Sequence, residues 1–260
     1  MTPVDWDRPW FQPWREPGER VLQRIAQGMP LHQALDAEGS APVRFVPQQA
    51  LPPGTAYERH IFQTGLCPTR DGLHDFFNGL CWSAMPLAKA QLNALQAGAI
   101  AAAPPGAPRG ALRDAITVFD ENGALLDAPE PLWAALRARD WRRLFVDLRP
   151  LWREARLQVF GHALLEKLVA PRKALTAHVW DAPCPLRDPE APAAADAWLA
   201  AQFGAGRLAA KPFLPLPVLG IPGWCAGNEN FSFYDDSVVF RQRRGPSPPA
   251  RDPDAGQPAS

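Results

Sequence analysis

Lysine is scarce in this chain. Lys89, Lys167, Lys173 and Lys211 are the only four, and the rest of its 27 basic residues are arginine. With 31 prolines and abundant alanine, this is the mark of a GC-rich bacterial coding sequence more than of a function. Net charge is also lacking. It is zero at pH 7, so no global basic field exists to draw in nucleic acid, and there is no acidic tail. No run of about 18 apolar residues occurs, which excludes a membrane-spanning helix and a membrane as partner. The N-terminal MTPVDWDRPWFQPW lacks a basic region followed by an apolar one, so it is not a secretory signal, and a soluble cytoplasmic protein is expected. The four cysteines, Cys67, Cys81, Cys184 and Cys225, are scattered without a C-x-x-C, which argues against a disulfide framework or a structural zinc knuckle. No G-x-S-x-G, Walker loop, H-E-x-x-H or G-x-G-x-x-G after a strand is found. Nothing in the sequence sets the oligomeric state.

What is present is enough for a core. The chain has 260 residues, 47% of them hydrophobic, and ten tryptophans suited to both cores and clefts. The densest patterning runs from Thr69 to Gly98. Leu73, Phe76, Phe77, Leu80, Cys81 and Ala84 follow the i, i+3, i+4, i+7, i+8, i+11 series of an amphipathic helix, with Asp71 as its expected N-cap. His74, Asp75, Asn78 and Trp82 fall on a neighbouring stripe. Pro86 opens a second helix that Gly98 should stop.

Elsewhere the signals are more local. Residues 1–18 read as an extended, aromatic arm whose Trp6, Trp10, Phe11 and Trp14 clamp onto the body among frequent prolines. Two short helices break near Gly28–Pro30. Residues 43–47 and 57–64 look strand-like or extended, and 99–111 read as a flexible connection. Asp120-Glu121-Asn122-Gly123 sits between apolar runs and signals a β-hairpin, which makes its carboxylates turn chemistry. Residues 131–139, 144–153 and 157–169 read as helices, the last with Leu157, Phe160, Leu164 and Leu168 on one stripe. Residues 173–180 are either strand or helix, 181–196 a loop and 197–203 a short helix. Prolines deny 211–224 a central strand or a helix, and 237–240 reads as an edge strand. After Arg241 the chain lacks the apolar residues to order itself. The expectation is an α+β fold, predominantly helical: a single globular domain over 19–241 with a few short strands and hairpins, an arm at 1–18 and a disordered tail at 242–260.

The motif R-x-x-x-H-D-F-F-N-x-L-x-W, from Arg70 to Trp82, followed by P-x-x-K-x-x-L-N-A-L from Pro86 to Leu95, resembles the signature of an uncharacterised bacterial family, the domain of unknown function 3025. The stretches RDAITVFDENGALL, VFGHALLEKLVAPRKALTAHVW, KPFLPLPVLGIPGW and FYDDSVVF resemble it too, in one order, over roughly Trp6 to Arg241. The resemblance implies membership of that family and no established activity.

Four groups of residues could carry chemistry. His74 and Asp75, with Asn78 and Trp82 beside them, can do acid–base work or bind a divalent metal; as plain structural residues they would hydrogen-bond a neighbouring segment. His162 and Glu166 lie one helical turn apart, which as a bland arrangement is a solvated pair. His178 with Lys173 is a third group. Tyr234-Asp235-Asp236 is a fourth, equally suited to oxygen ligation or to a turn. The sharpest expectation is that His74 and His162 share one pocket walled by Asn78 and Trp82, with Glu166 and His178 as further candidate ligands of a divalent metal. Two imidazoles more than roughly 12 Å apart would break it. The functional classes are then an enzyme performing acid–base chemistry or metal-assisted hydrolysis, or a non-catalytic interaction module using the Trp-rich arm and the Pro-rich segment. A third is a degenerate relative of His-Asn-His nucleases, through Asn78, Leu80, Trp82 and Asn93.

Overall fold

Ten α-helices and six strands are formed in the described residues 2–104, 108–186 and 191–242 of a computed structural model; at 191–192 only the backbone is described. The expected tail lies, but for its first residue, outside them. In chain order the elements are α1 (Arg15–Ala26), α2 (Leu31–Asp36), β1 (Arg44–Pro47), α3 (Tyr57–Thr64), β2 (Leu66–Thr69), α4 (Leu73–Ala84), α5 (Pro86–Ala102), α6 (Ala111–Asn122) and β3 (Gly123–Asp127). Then come α7 (Glu130–Ala138), β4 (Arg156–Val159), α8 (His162–Lys167), β5 (Thr176–Trp180), α9 (Ala191–Gln202), α10 (Ala205–Ala209) and β6 (Phe213–Pro217). The fold is mixed α+β and predominantly helical. β1 and β2 pair in parallel. A second sheet has the order β4-β3-β5-β6, with β3 parallel to β5 and antiparallel to β4, and β6 antiparallel to β5. Every residue of β3 is buried.

The helix α4 is the hub. Phe76, Phe77, Leu80 and Cys81 are buried as their spacing requires, and Phe11 stacks on Phe77 with ring centroids 5.6 Å apart. Its other face is covered as well, by α5 and α8, so Asp75, Asn78 and Trp82 are buried with it. The N-cap is Gly72 (φ 153°), a backbone that favours glycine, and not Asp71. The turn before it is closed instead by Asp75, which accepts from the Arg70 backbone N–H at 2.6 Å and from its guanidinium at 3.2 Å.

The N-terminal aromatics do pack inward: Trp10, Phe11 and Trp14 are buried. They are not extended, however. Residues Pro9–Trp14 form a 3-10 helix, and α1 runs on across position 18. Trp6 lies over Gly18, where a Cβ would sit 2.2 Å from its ring.

Several local expectations fail for identifiable reasons. Residues 57–64 are the helix α3, because Tyr57, His60 and Ile61 are spaced for a helix and two of them are buried. α5 runs through Gly98 to Ala102, since that glycine faces open space in an alanine-rich run of high helix propensity. The Asn122-Gly123 hairpin does not form. Leu112, Ala115, Ile116 and Phe119 are a helical stripe, and α6 passes through Asp120 and Glu121 before Gly123 starts β3. Residues 157–169 are split into β4 and α8 at Gly161. Residues 143–147 form a π turn and 149–154 a 3-10 helix, so 144–153 is not one α-helix. The helix α9 begins inside the expected loop, at Ala191. Two readings agree with the structure: of the strand and helix left open for 173–180 the strand forms, at 176–180, and the proline-rich stretch supplies β6 only at the sheet edge, the position left to a strand with missing donors. Residues 237–240 are turn, not strand.

Candidate functional site

Five helices and the segments beside them line a cavity of about 480 Å³. α4 contributes His74, Asp75, Asn78 and Trp82; α5 contributes Lys89, Leu92, Asn93, Gln96 and Ile100; α6 contributes Arg113, Ile116, Thr117, Asp120 and Glu121. Each set repeats at three or four residues, so each is one stripe of one helix. His162 enters from the first turn of α8, and Tyr57 and Glu58 come from the start of α3.

At one end the two imidazoles meet. His74 Nε2 and His162 Nε2 are 3.1 Å apart, and the ring centroids 4.6 Å. His74 Nδ1 lies 3.0 Å from Glu166 Oε2. His162 Nδ1 faces Asp120 Oδ2 at 3.6 Å, ion-pair but not hydrogen-bond distance, and is buried, with the Asp120 backbone also acting on the ring. Beyond Asp120 lies Lys89, whose Nζ donates to Asp120 Oδ1 at 2.5 Å and to Asn78 Oδ1 at 2.9 Å, and sits 5.4 Å from the Trp82 ring centre. Glu166, His74, His162, Asp120 and Lys89 thus form one line of alternating partners.

The partners fix the protons. A carboxylate only accepts, so His74 Nδ1 carries hydrogen toward Glu166. The Nε2–Nε2 contact is attractive only if one of the two nitrogens is protonated. His162 is neutral, and with its hydrogen on Nδ1 toward Asp120 its Nε2 is left as the acceptor of that contact. Burial lowers the His162 pKa to about 4; Asp120 opposes this, while Lys89 and His74 add to it. Burial alone would raise Asp120, but the Lys89 charge, then His162, hold its carboxyl below the ordinary range. Burial would lower Lys89, and Asp120 outweighs it, so the ammonium is held above its usual value. Burial, then the Asp120 charge, push Glu58 up; its carboxylate accepts from Asn93 Nδ2 at 2.6 Å. Tyr57 and Cys67 bond to each other at 3.2 Å, and burial pushes that thiol up to about 12.

A close backbone approach makes this possible. Gly161 packs against α6 so tightly that a Cβ there would lie 2.4 Å from the Glu121 carbonyl oxygen, and its N–H donates to Gly123 O at 2.9 Å. That contact sets His162, the next residue, under Asp120.

Of the residues singled out in the sequence, His74, Asp75, Asn78, Trp82, His162 and Glu166 converge here, although Asp75 is turned back onto Arg70. His178 does not. It is half-buried on β5 beside Phe213, at a ring separation of 6.2 Å, and outside the cavity lining. Lys173 and Asp236 form an ion pair at 3.1 Å, and Asp236 also accepts from the Val238 N–H, so these residues serve a turn. Among the described residues no group of three or more His, Cys, Asp or Glu side chains is placed to hold a metal ion. Among the functional residues, Lys89, Glu58 and Arg113 are not singled out by the sequence, and Asp120 is assigned there to a hairpin. The helical stripe of Leu112, Ala115, Ile116 and Phe119 was the signal that could have put Asp120 and Arg113 on one helix.

All four cysteines are free, and no helix among the described residues is long and apolar enough to cross a membrane. No curated protein and no solved structure matches the chain. The family model described as protein of unknown function, DUF3025, matches residues 43–244, a span that holds every residue of the histidine line and its cavity. The match covers well over half of the sequence, and the chain therefore belongs to the DUF3025 family.

Proposed function

We propose that this protein is an enzyme that moves protons to and from a small polar substrate in the cavity, with hydrolysis as the reaction class. The observation that carries this reading is the 3.1 Å contact between His74 and His162, each backed by a carboxylate. His162 stays neutral and serves as proton acceptor. His74 is the more exposed of the two, at 40% of its side chain, and its Nε2, which meets His162 at 3.1 Å, is the nitrogen that exchanges a proton with substrate when substrate opens that contact. Lys89 holds Asp120 charged, and Asp120 and Glu166 orient the rings. Positioned acid–base groups of this kind contribute typically 10²–10⁴-fold to a rate.

The test is hydrolysis of p-nitrophenyl acetate and p-nitrophenyl phosphate by the full chain. Wild type should turn over at least one of them, and His74→Asn and His162→Asn should lower kcat by about 100-fold or more. Equal rates in wild type and both variants would overturn the reading.

One observation favours a second reading, in which the pair ligates a divalent metal. Two nitrogens on one tetrahedral zinc lie roughly 3.3 Å apart, given Zn–N bonds of about 2.0–2.1 Å. The carboxylates behind the two rings would then act as orienting partners. A chelator that abolishes the activity, and zinc that restores it, would favour this form. The interaction-module reading is less supported, since Trp10, Phe11 and Trp14 and much of 211–224 are packed against the rest of the chain. The nuclease reading is weakened because Asn78 binds Lys89, Asn93 binds Glu58, and β2 supplies no histidine.

A further inference from the structure

The cavity has a second end, and its chemistry differs from the first. Lys89 of α5 meets Asp120 of α6, and the two helices are joined by the short connection 103–110, so they run antiparallel. Seven residues onward in α5 is Gln96; seven residues back in α6 is Arg113. Both line the cavity, roughly 10 Å along the helix axes from the Lys89–Asp120 pair. One turn further, Ile100 and Arg109 close the row.

Polar groups at this end lack partners. Gln96 is 6% exposed, and its Oε1 is buried with no hydrogen bond. Arg113 Nε is likewise buried and unsatisfied. Buried polar atoms are nearly always paired, so two orphans on one cavity wall point to a ligand. The neighbouring carboxylates are committed elsewhere: Asp114 to Lys211, Asp120 to Lys89, Asp75 to Arg70 and Glu58 to Asn93. Among the described residues neither Arg109 nor Arg113 has an ion-pair partner within 4 Å; Arg109 hydrogen-bonds the Thr117 hydroxyl at 3.4 Å, and its charge acts weakly on the exposed Asp114, which is held by Lys211. Glu121 belongs to the opposite end, next to Asp120.

We infer that this end binds an oxyanion, a carboxylate or phosphate group of the substrate, with Arg113 as the principal anchor, Arg109 at the mouth and Gln96 bonding an adjacent polar atom. Guanidinium forks match planar or tetrahedral oxyanions bidentately, which lysine does not. The substrate is thus a small anion whose charged group sits at the far end of the cavity from its reacting centre, roughly 10 Å beyond the Lys89–Asp120 pair. This rests on the cavity being the substrate site of the acid–base enzyme proposed above.

The test is calorimetric titration of the full chain with inorganic phosphate and, separately, with succinate. At least one should bind with a Kd at or below roughly 1 mM. Arg113→Gln should weaken it about tenfold or more, and Arg113→Lys by less. Thermal melts of each variant confirm that it is folded. His74→Asn should bind as wild type does. Tighter phosphate binding names a phosphorylated substrate, and tighter succinate binding a carboxylated one. If neither binds wild type, or Arg113→Gln binds unchanged, the inference falls. It also falls if His74→Asn alone abolishes binding, because the anion then sits on the imidazoles; that outcome leaves the acid–base reading standing. Arg113-dependent binding together with wild-type hydrolysis no faster than the His74 and His162 variants would do the reverse.

Discussion

His162 stays neutral in the folded protein well below the pH at which a free imidazole protonates, its pKa lying at about 4 against the ordinary 6.5. Between those two values the unfolded chain binds a proton that the folded chain refuses. Stability therefore falls as pH drops from about 6.5 toward 4, and is unaffected by this group above 6.5. The full span corresponds to roughly 3 kcal/mol. Glu58 titrates in the opposite sense: its raised pKa means stability lost as pH rises past the ordinary value. The contribution of His162 is thus read as a difference. Denaturant melts of wild type and His162→Gln between pH 7 and 4.5 should converge at the acid end, and parallel curves would show that the ring is not buried neutral. The same protonation removes the acceptor, so kcat/KM should fall as pH drops toward 4.

Lys89 offers a separation of stability from activity. Lys89→Ala leaves Asp120 in a poor environment without its partner, at a cost of about 3–5 kcal/mol for breaking a buried pair. Lys89→Met with Asp120→Leu removes both charges and should recover most of that stability. The double variant should still be inactive, because His162 then lacks its carboxylate. Chemical denaturation and p-nitrophenyl ester hydrolysis, run side by side, check both halves.

At the scale of elements, the crossing of α6 by the β4–α8 connection decides the site. Gly161 has an ordinary φ of −66°, so its role is space and not backbone freedom. Gly161→Ala places a methyl group 2.4 Å from the Glu121 carbonyl, with backbone atoms of Asn122 as close. Backbone cannot rotate away as a side chain does, so α8 must shift. The expected loss is about 1–3 kcal/mol, as for other overpacked sites. Activity should fall further than stability, because the shift breaks the His74–His162 contact. Ring-nitrogen chemical shifts of the two histidines report that contact directly; shifts like wild type in the alanine variant would contradict the account.

Over the whole molecule, the N-terminal aromatics are part of the main core and not an appendage. Trp10, Phe11 and Trp14 join the same cluster as Phe76 and Phe77, and Trp10 also meets Trp224 at 5.6 Å. Phe11 stacks on the back of α4, whose first turn carries His74. Trp14→Ala should therefore cost about 3–5 kcal/mol, as for other large buried aromatics. A chain lacking residues 1–14 should melt many degrees lower. Survival of such a truncation with an unchanged melting temperature would make the arm dispensable.

The sequence by itself determined the predominantly helical α+β character, the family, the α4 core face and the break at Pro86. Each follows from local periodicity or motif order, which one stretch of chain carries alone. It also marked His74, Asn78, Trp82, His162 and Glu166, because acid–base side chains one helical turn apart are visible locally, although the 157–169 helix read for the last two is split at Gly161. Only tertiary structure decided that His74 and His162, 88 positions apart, touch at 3.1 Å, that His178 stays away, and that Asp120 and Lys89 complete the line. The Asn122-Gly123 pair shows why. As a dipeptide it favours a two-residue turn, yet the packing of Ile116 and Phe119 against Phe160, Trp180 and Phe203 holds the preceding residues in a helix. Burial of that apolar stripe outweighs a turn preference of a kcal/mol or so, and this free energy depends on partners far along the chain.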